Sequence, residues 1–439
     1  MSPINPLHLS EVVENILHWC KAGSPSPIRV EPSVQDAPFQ GFTGSPSFTS
    51  HFIQLSTISS IWARETRPFL FHSITITVGL CNPELSSQPL PSSERYQAFG
   101  RMHNLLALIQ TNPSIAAFVK HLTLCSAAVN AVPKARVAPS TQELNACADI
   151  LPHFFGALQS LVLVRIGWDI HPHRRRRYGR WWESQLTNET KSAILRLLSQ
   201  PTLRTVILKS ARIPLSLWAP SSSATTLHLQ WSTYDSETPL APGETWTFRN
   251  LTHLNLIEFA WDISRVRSLV SHSCNTLVSL KCYVQCGGIE GTDEILDLRQ
   301  MPFLREVHVR ALVPESEIQA GCALAMRTLH HLPWAQLSQV GFNLEIICPP
   351  PGTEHTPLDC KGYWEELDSL IYPYVHKDNH ESRITDMQIG MSMELCESCE
   401  TSLDSEEPYS TLHRLIRCRD EEGLDLNLRF HYERRPDAY

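Results

Sequence analysis

Glycine is scarce in this chain, with 18 residues among 439 against 31 prolines. No GxGxxG and no GxxxxGK[ST] string occurs, so neither common glycine-built phosphate cradle can form and a nucleotide enzyme of those kinds is disfavoured. Charge is also thin: 19% of residues are charged, and they sum to a formal −8 at pH 7. That field repels nucleic acid and acidic membranes, so neither is an expected partner. No stretch approaches the 18 continuous apolar residues that a membrane-crossing helix needs. The opening MSPINPLHLSEVVENILHWC lacks the basic segment, apolar run and cleavage site of a secretory leader, which predicts a soluble protein of the cytoplasm or nucleus. Nucleophilic catalysis finds no anchor either, because G-x-S-x-G and H-E-x-x-H are both missing. No catalytic residue is assigned, and the chain is not expected to be an enzyme.

What is present is apolar and unevenly spread. Hydrophobic residues make up 42% of the chain, enough for a substantial core. The 13 cysteines are odd in number and irregularly scattered, unlike the short, dense pattern of a secreted disulfide framework, and read as reduced, mostly buried thiols. A single CxxC, Cys396 to Cys399, has no second pair at zinc-finger spacing, so neither a metal nor any other cofactor is expected. The basic and aromatic run from His171 through Arg174–Arg177 to Trp182 mixes residue types as single-strand binders do. In a chain of net negative charge it reads as an insertion between repeats or a contact for an acidic partner.

Leu9, Val12, Val13, Ile16 and Leu17 fall on one face of a short helix, and Leu55, Ile58 and Trp62 repeat that spacing before Pro68. Between them, 21–50 holds Pro25, Pro27, Pro32, Pro38 and Pro46, through which neither helix nor strand propagates. Further on, a relaxed L-x-x-L-x-L string recurs from Val119, Leu158, Leu203, Ala224, Leu251, Leu277, Leu304, Leu337, Ile384 and, weakly, Gly423. A string this loose recurs by chance in a Leu-rich chain, and two or three of the ten are expected to be spurious. The central spacings match leucine-rich repeats of 20 to 29 residues, and helical faces such as Ile194/Leu195/Leu198 and Ile263/Val266/Leu269/Val270 precede several strings. The expected fold is α/β: a helical unit over 1–75, then over 76–439 an irregular solenoid in which each helix leads into a short parallel strand.

The N-terminal residues resemble an F-box. His8-Leu9-Ser10-Glu11-Val12-Val13-Glu14-Asn15-Ile16-Leu17 sits on the first half of its pattern, and Leu55, Ile58, Ser59, Trp62, Pro68, Leu70 and Phe71 on the second. With RPFLFHSITITVG and the repeats that follow, nearly the whole chain looks like the fungal F-box proteins that carry divergent leucine-rich-repeat-like regions. The resemblance implies a substrate-receptor subunit of a Skp–cullin–F-box ubiquitin ligase. Its partners would be the Skp-type adaptor with the cullin ligase core, and a target protein held by the repeats. The adaptor would meet Leu9, Val12, Val13, Ile16, Leu17, Leu55, Ile58, Trp62, Pro68 and Leu70. A free-standing repeat scaffold whose F-box no longer docks is the alternative.

Alternation along each strand places the third, fifth and seventh positions of the string opposite the helices. His253, Asn255, Lys281, Tyr283, Glu306, His308 and Arg310, with Gln339 and Asn343, form that row. Their mixture of aromatic, cationic and amide groups suits a protein contact better than a deep apolar cavity, and they are the candidate target-binding residues.

Overall fold

The computed structural model describes residues 64, 66–68, 70–78, 97–126, 144–145, 147–167, 182, 186–209, 211, 213–230, 248–285, 295–314, 323, 326–347, 366, 369–370, 384, 386–395 and 425–434. The chain separates into two units, Met1–Ser223 and Ala224–Tyr439. The first contains β1 (Ser73–Val78), α1 (Gln97–Thr111), α2 (Ser114–Phe118), β2 (His121–Ser126), α3 (Leu151–Ala157), β3 (Leu163–Gly167), α4 (Asn188–Leu198) and β4 (Thr205–Lys209). Its four strands pair in parallel in chain order. The second contains β5 (Thr226–Gln230), β6 (His253–Asp262), α5 (Ile263–Ser271), β7 (Ser279–Gln285), β8 (Glu306–Pro314), β9 (Gln339–Ile347), β10 (Asp386–Leu395) and β11 (Asp425–Arg434). These strands too are parallel and consecutive. The fold is therefore α/β, with parallel ladders in which neighbours in sequence are neighbours in space. Among the described residues no helix is long and apolar enough to cross a membrane.

The apolar string explains the ladder. Its first, fourth and sixth positions are almost fully enclosed in successive repeats: Leu251/Leu254/Leu256, Leu277/Leu280/Cys282, Leu304/Val307/Val309 and Leu337/Val340/Phe342. Each buried Leu or Val is worth about 1.5–3 kcal/mol, so the three positions dominate the energetics of a repeat. The first-position N–H closes the preceding turn, as in Leu203 N–H to the Gln200 carbonyl and Leu337 N–H to that of Trp334. The second and third N–H groups then converge on one carbonyl of the previous repeat. Val278 and Ser279 donate to Thr252 O at 2.8 and 2.9 Å, Arg305 and Glu306 to Val278 O at 2.8 and 3.1 Å, and Ser338 and Gln339 to Arg305 O at 2.8 and 3.1 Å. The same fork joins Lys120 and His121 to His72 O, and Arg204 and Thr205 to Val162 O. Using both lone pairs of one carbonyl fixes where each strand starts, and a slip by one residue would also turn the apolar set outward.

α4 shows how a helix is fastened into this frame. Thr187 caps it by accepting from Thr190 N, Glu189 lies in the first turn and Arg196 in the last, as the helix dipole favours. Its inward face is Thr190, Ala193, Ile194, Leu197 and Leu198, and it packs on α3. The buried Thr190 hydroxyl donates to Asn145 Oδ1 at 3.2 Å, and Thr187 N–H donates to the same oxygen at 3.0 Å. In α5 the expected face of Ile263, Val266, Leu269 and Val270 is buried.

The structure corrects four expectations. None of the ten strings is spurious, since each accompanies a strand, but the one taken from Leu158 is out of frame. β3 pairs His121 with Leu163 and Leu122 with Val164, so its string starts at Leu161, and both flanking spacings become 42 residues. An eleventh strand, β1, follows the string Phe71-His72-Ser73-Ile74-Thr75-Ile76, and it crosses the 75/76 boundary expected between helical unit and ladder. A helix does not precede every strand: among the described residues, the connection from β4 to β5 carries the 3-10 turns Leu215–Leu217 and Ala219–Ser221 and no helix. Apart from these four, Trp182 at the end of the basic and aromatic run is buried.

Candidate functional site

The face of β7, β8 and β9 opposite the buried positions is polar and tightly interlinked. Parallel register sets Lys281, His308 and Gly341 side by side in one row, and Tyr283, Arg310 and Asn343 in the next but one. Glu306 is the hub. Its Oε1 lies 2.7 Å from Lys281 Nζ and 3.2 Å from His308 Nε2, while its Oε2 accepts the Ser279 hydroxyl at 2.5 Å. The His308 hydrogen bond, above all, holds the Glu306 carboxyl well below the usual carboxylate range. Burial opposes that shift, and Lys281 and Ser279 reinforce it. Glu306 is therefore ionised throughout the neutral range and neutralises Lys281.

Arg310 forms the second half of the site. Its guanidinium lies over the Tyr283 ring, 4.6 Å from the centroid, and its Nε stands 2.7 Å from Glu345 Oε2. Those two atoms are enclosed and lie outside hydrogen-bond alignment, so the contact is an ion pair rather than a directed bond. Cation–π stacking and the ion pair together fix the guanidinium plane. The His308 ring covers Gly341: a Cβ there would stand 2.1 Å from His308 Nδ1 and 2.9 Å from its Cγ. Only glycine leaves room for that ring.

Of the residues expected on this face, Lys281, Tyr283, Glu306, His308 and Arg310 are brought together. His253 and Asn255 stand on β6, in register with Ser279 and Lys281, and His253 Nδ1 shares a 2.8 Å hydrogen bond with the Thr252 hydroxyl. Ser279, Gly341 and Glu345 belong to the site and were not singled out from sequence. Ser279 was legible, since it occupies the third position of its string. Glu345 lies beyond the sixth position at which the string ends, and Gly341 carries no side chain to signal. Pro68 and Leu70 are half-buried. Leu9, Val12, Val13, Ile16, Leu17, Leu55, Ile58 and Trp62 lie outside the described residues, as do 21–50 and Cys396 to Cys399. Among the described residues no group of three or more His, Cys, Asp or Glu is placed to hold a metal ion.

In comparison with known proteins, no protein-family model matches the chain, and neither does any curated protein.

Proposed function

We propose that the chain is a protein-recognition subunit that presents the β7–β9 face to a target and, through residues 8–17 and 55–71, docks on the Skp-type adaptor of a cullin ubiquitin ligase in the cytoplasm or nucleus. The observation that carries the recognition half is the preorganised Glu306/Lys281/His308 and Arg310/Tyr283/Glu345 network on one side of a parallel ladder. A rigid, polar, partly desolvated patch suits a specific protein contact, because little side-chain freedom is left to lose on binding. The adaptor half rests on the F-box resemblance of the N-terminal residues. This reading assigns the chain no chemical step, since a receptor acts by raising the local concentration of its target.

Co-purification with the Skp-type adaptor tests the docking half. Ile16→Asp with Leu17→Asp would strand two charges in an apolar interface, at a cost of several kcal/mol, and should abolish adaptor capture from a folded chain. Unchanged capture refutes it. A free-standing scaffold is the second reading, favoured by His8-Leu9 standing where an F-box opens with Leu-Pro and by the lengthened spacer at 21–50. Absence of adaptor binding by the unaltered chain would select it.

A further inference from the structure

We infer that the face around Arg310 takes an acidic segment of a protein partner, with a Glu or Asp carboxylate held end-on by the two terminal guanidinium nitrogens of Arg310. The inference rests on reading this face as the contact surface and is independent of adaptor docking. It follows from counting which donors and acceptors the network leaves open. Glu306 receives three donors on its two oxygens. Glu345 turns Oε2 inward to Arg310 Nε, and that oxygen is enclosed. Three of the four carboxylate oxygens of the cluster are thus engaged or enclosed.

The donors are not. A guanidinium carries five N–H groups, and among the described residues Arg310 has Glu345 as its polar partner, met at Nε. Four N–H groups on the terminal nitrogens remain. At 31% side-chain exposure, Arg310 is also the most open charged member of the cluster, against 16–24% for Lys281, Glu306, His308 and Glu345. Lys281 has three N–H groups and meets the cluster at Glu306 Oε1. A partner must therefore bring acceptors. A carboxylate offers two coplanar oxygens that match the guanidinium fork, whose plane Tyr283 and Glu345 already fix, so little ordering remains to oppose binding. A basic segment would meet carboxylates of which three of four oxygens are already engaged or enclosed. The formal charge of −8 on the whole chain works against diffuse attraction of an acidic probe, so any capture reports the local site.

The test is fluorescence anisotropy with the full chain and a fluorescein-labelled decaglutamate peptide, alongside decalysine and a phosphoserine-bearing peptide free of Asp and Glu. Decaglutamate should bind saturably. Arg310→Gln should weaken it about tenfold, and Arg310→Lys nearly as much, because an ammonium cannot present two parallel N–H groups. Lys281→Gln should cost a few-fold. Ile16→Asp should change nothing, which separates failure here from failure of the docking proposal. Circular dichroism checks folding; if Arg310→Gln unfolds the chain, Arg310→Lys and Lys281→Gln carry the test. Lack of saturable decaglutamate binding, equal affinity in the folded Arg310 variants, or tighter binding of decalysine overturns the inference. Binding of the phosphoserine peptide alone also overturns it, and reassigns the fork to phosphate.

Discussion

Replacing Gly341 by alanine adds one methyl group at the third residue of β9, and the consequence is set by a ring on the neighbouring strand. The new Cβ would lie 2.1 Å from His308 Nδ1, 2.9 Å from Cγ and 3.0 Å from Cε1. Nδ1 and Cγ are near the root of the side chain, so the whole ring must turn away, and it then leaves Glu306 Oε1, 3.2 Å from Nε2. Losing a hydrogen bond to a charged group costs about 1.5–3 kcal/mol, with the lower end fitting a half-buried ring. A forced off-rotamer χ adds about 0.5–1.5 kcal/mol if the ring turns only part way. Against this, glycine inside a strand is itself costly, and alanine recovers about 0.5–1 kcal/mol. Gly341→Ala should therefore destabilise the unaltered chain by about 1–3 kcal/mol. In a His308→Ala background the obstruction is gone, and the same change should stabilise by about 0.5–1 kcal/mol. The sign reverses, and the coupling between the two sites reaches about 2 kcal/mol or more. Urea unfolding followed by circular dichroism, read as midpoint shifts at unchanged slope, measures all four corners of the cycle. If Gly341→Ala is equally damaging with and without His308, the ring does not lie over β9 and the geometry of the site is wrong.

Other perturbations reach the first unit. The His72 and His121 rings meet edge-on at 4.5 Å, and burial, aided by His72, lowers the His121 pKa to about 4. The unfolded chain then binds the extra proton between about pH 6.5 and 4, so stability falls as pH drops through that window and levels off below it. Discounted for partial exposure the loss is about 1–2 kcal/mol, and His121→Phe should flatten the pH dependence of the urea midpoint by that amount relative to the unaltered chain. Thr190→Val keeps the shape but withdraws the hydroxyl from Asn145 Oδ1 and Leu144 O, and should lower stability by about 1–2 kcal/mol with little change in the helix signal. Phe154, fully enclosed on α3, should cost about 3–5 kcal/mol on truncation to alanine, read as a lowered urea midpoint.

The ladder was legible where the string carries its information in side chains that must be buried. Leu251, Leu277, Leu304 and Leu337 open four strings whose fourth and sixth positions are also enclosed, so the frame is overdetermined and the reading lands on the observed register. It slipped at Leu158 for a physical reason. Leu158, Leu161 and Leu163 fit the template as well as Leu161, Val164 and Ile166 do, because Leu158 is buried too, at the end of α3, where its N–H closes on Phe155 O. Two overlapping apolar frames compete there, and the fork from Val162 and Leu163 to Lys120 O chooses between them. β1 escaped notice because Phe71 occupies the leucine position. The site was less legible than the ladder, since its geometry belongs to register between strands. Lys281 meets Glu306, and His308 meets Gly341, through pairings of 25 and 33 residues' separation that no local window contains. The same forks that correct the frame at Leu161 also set Glu306 beside Ser279 and Gly341 beside His308, so the polar face depends on backbone hydrogen bonds at the strand starts as much as on its own side chains.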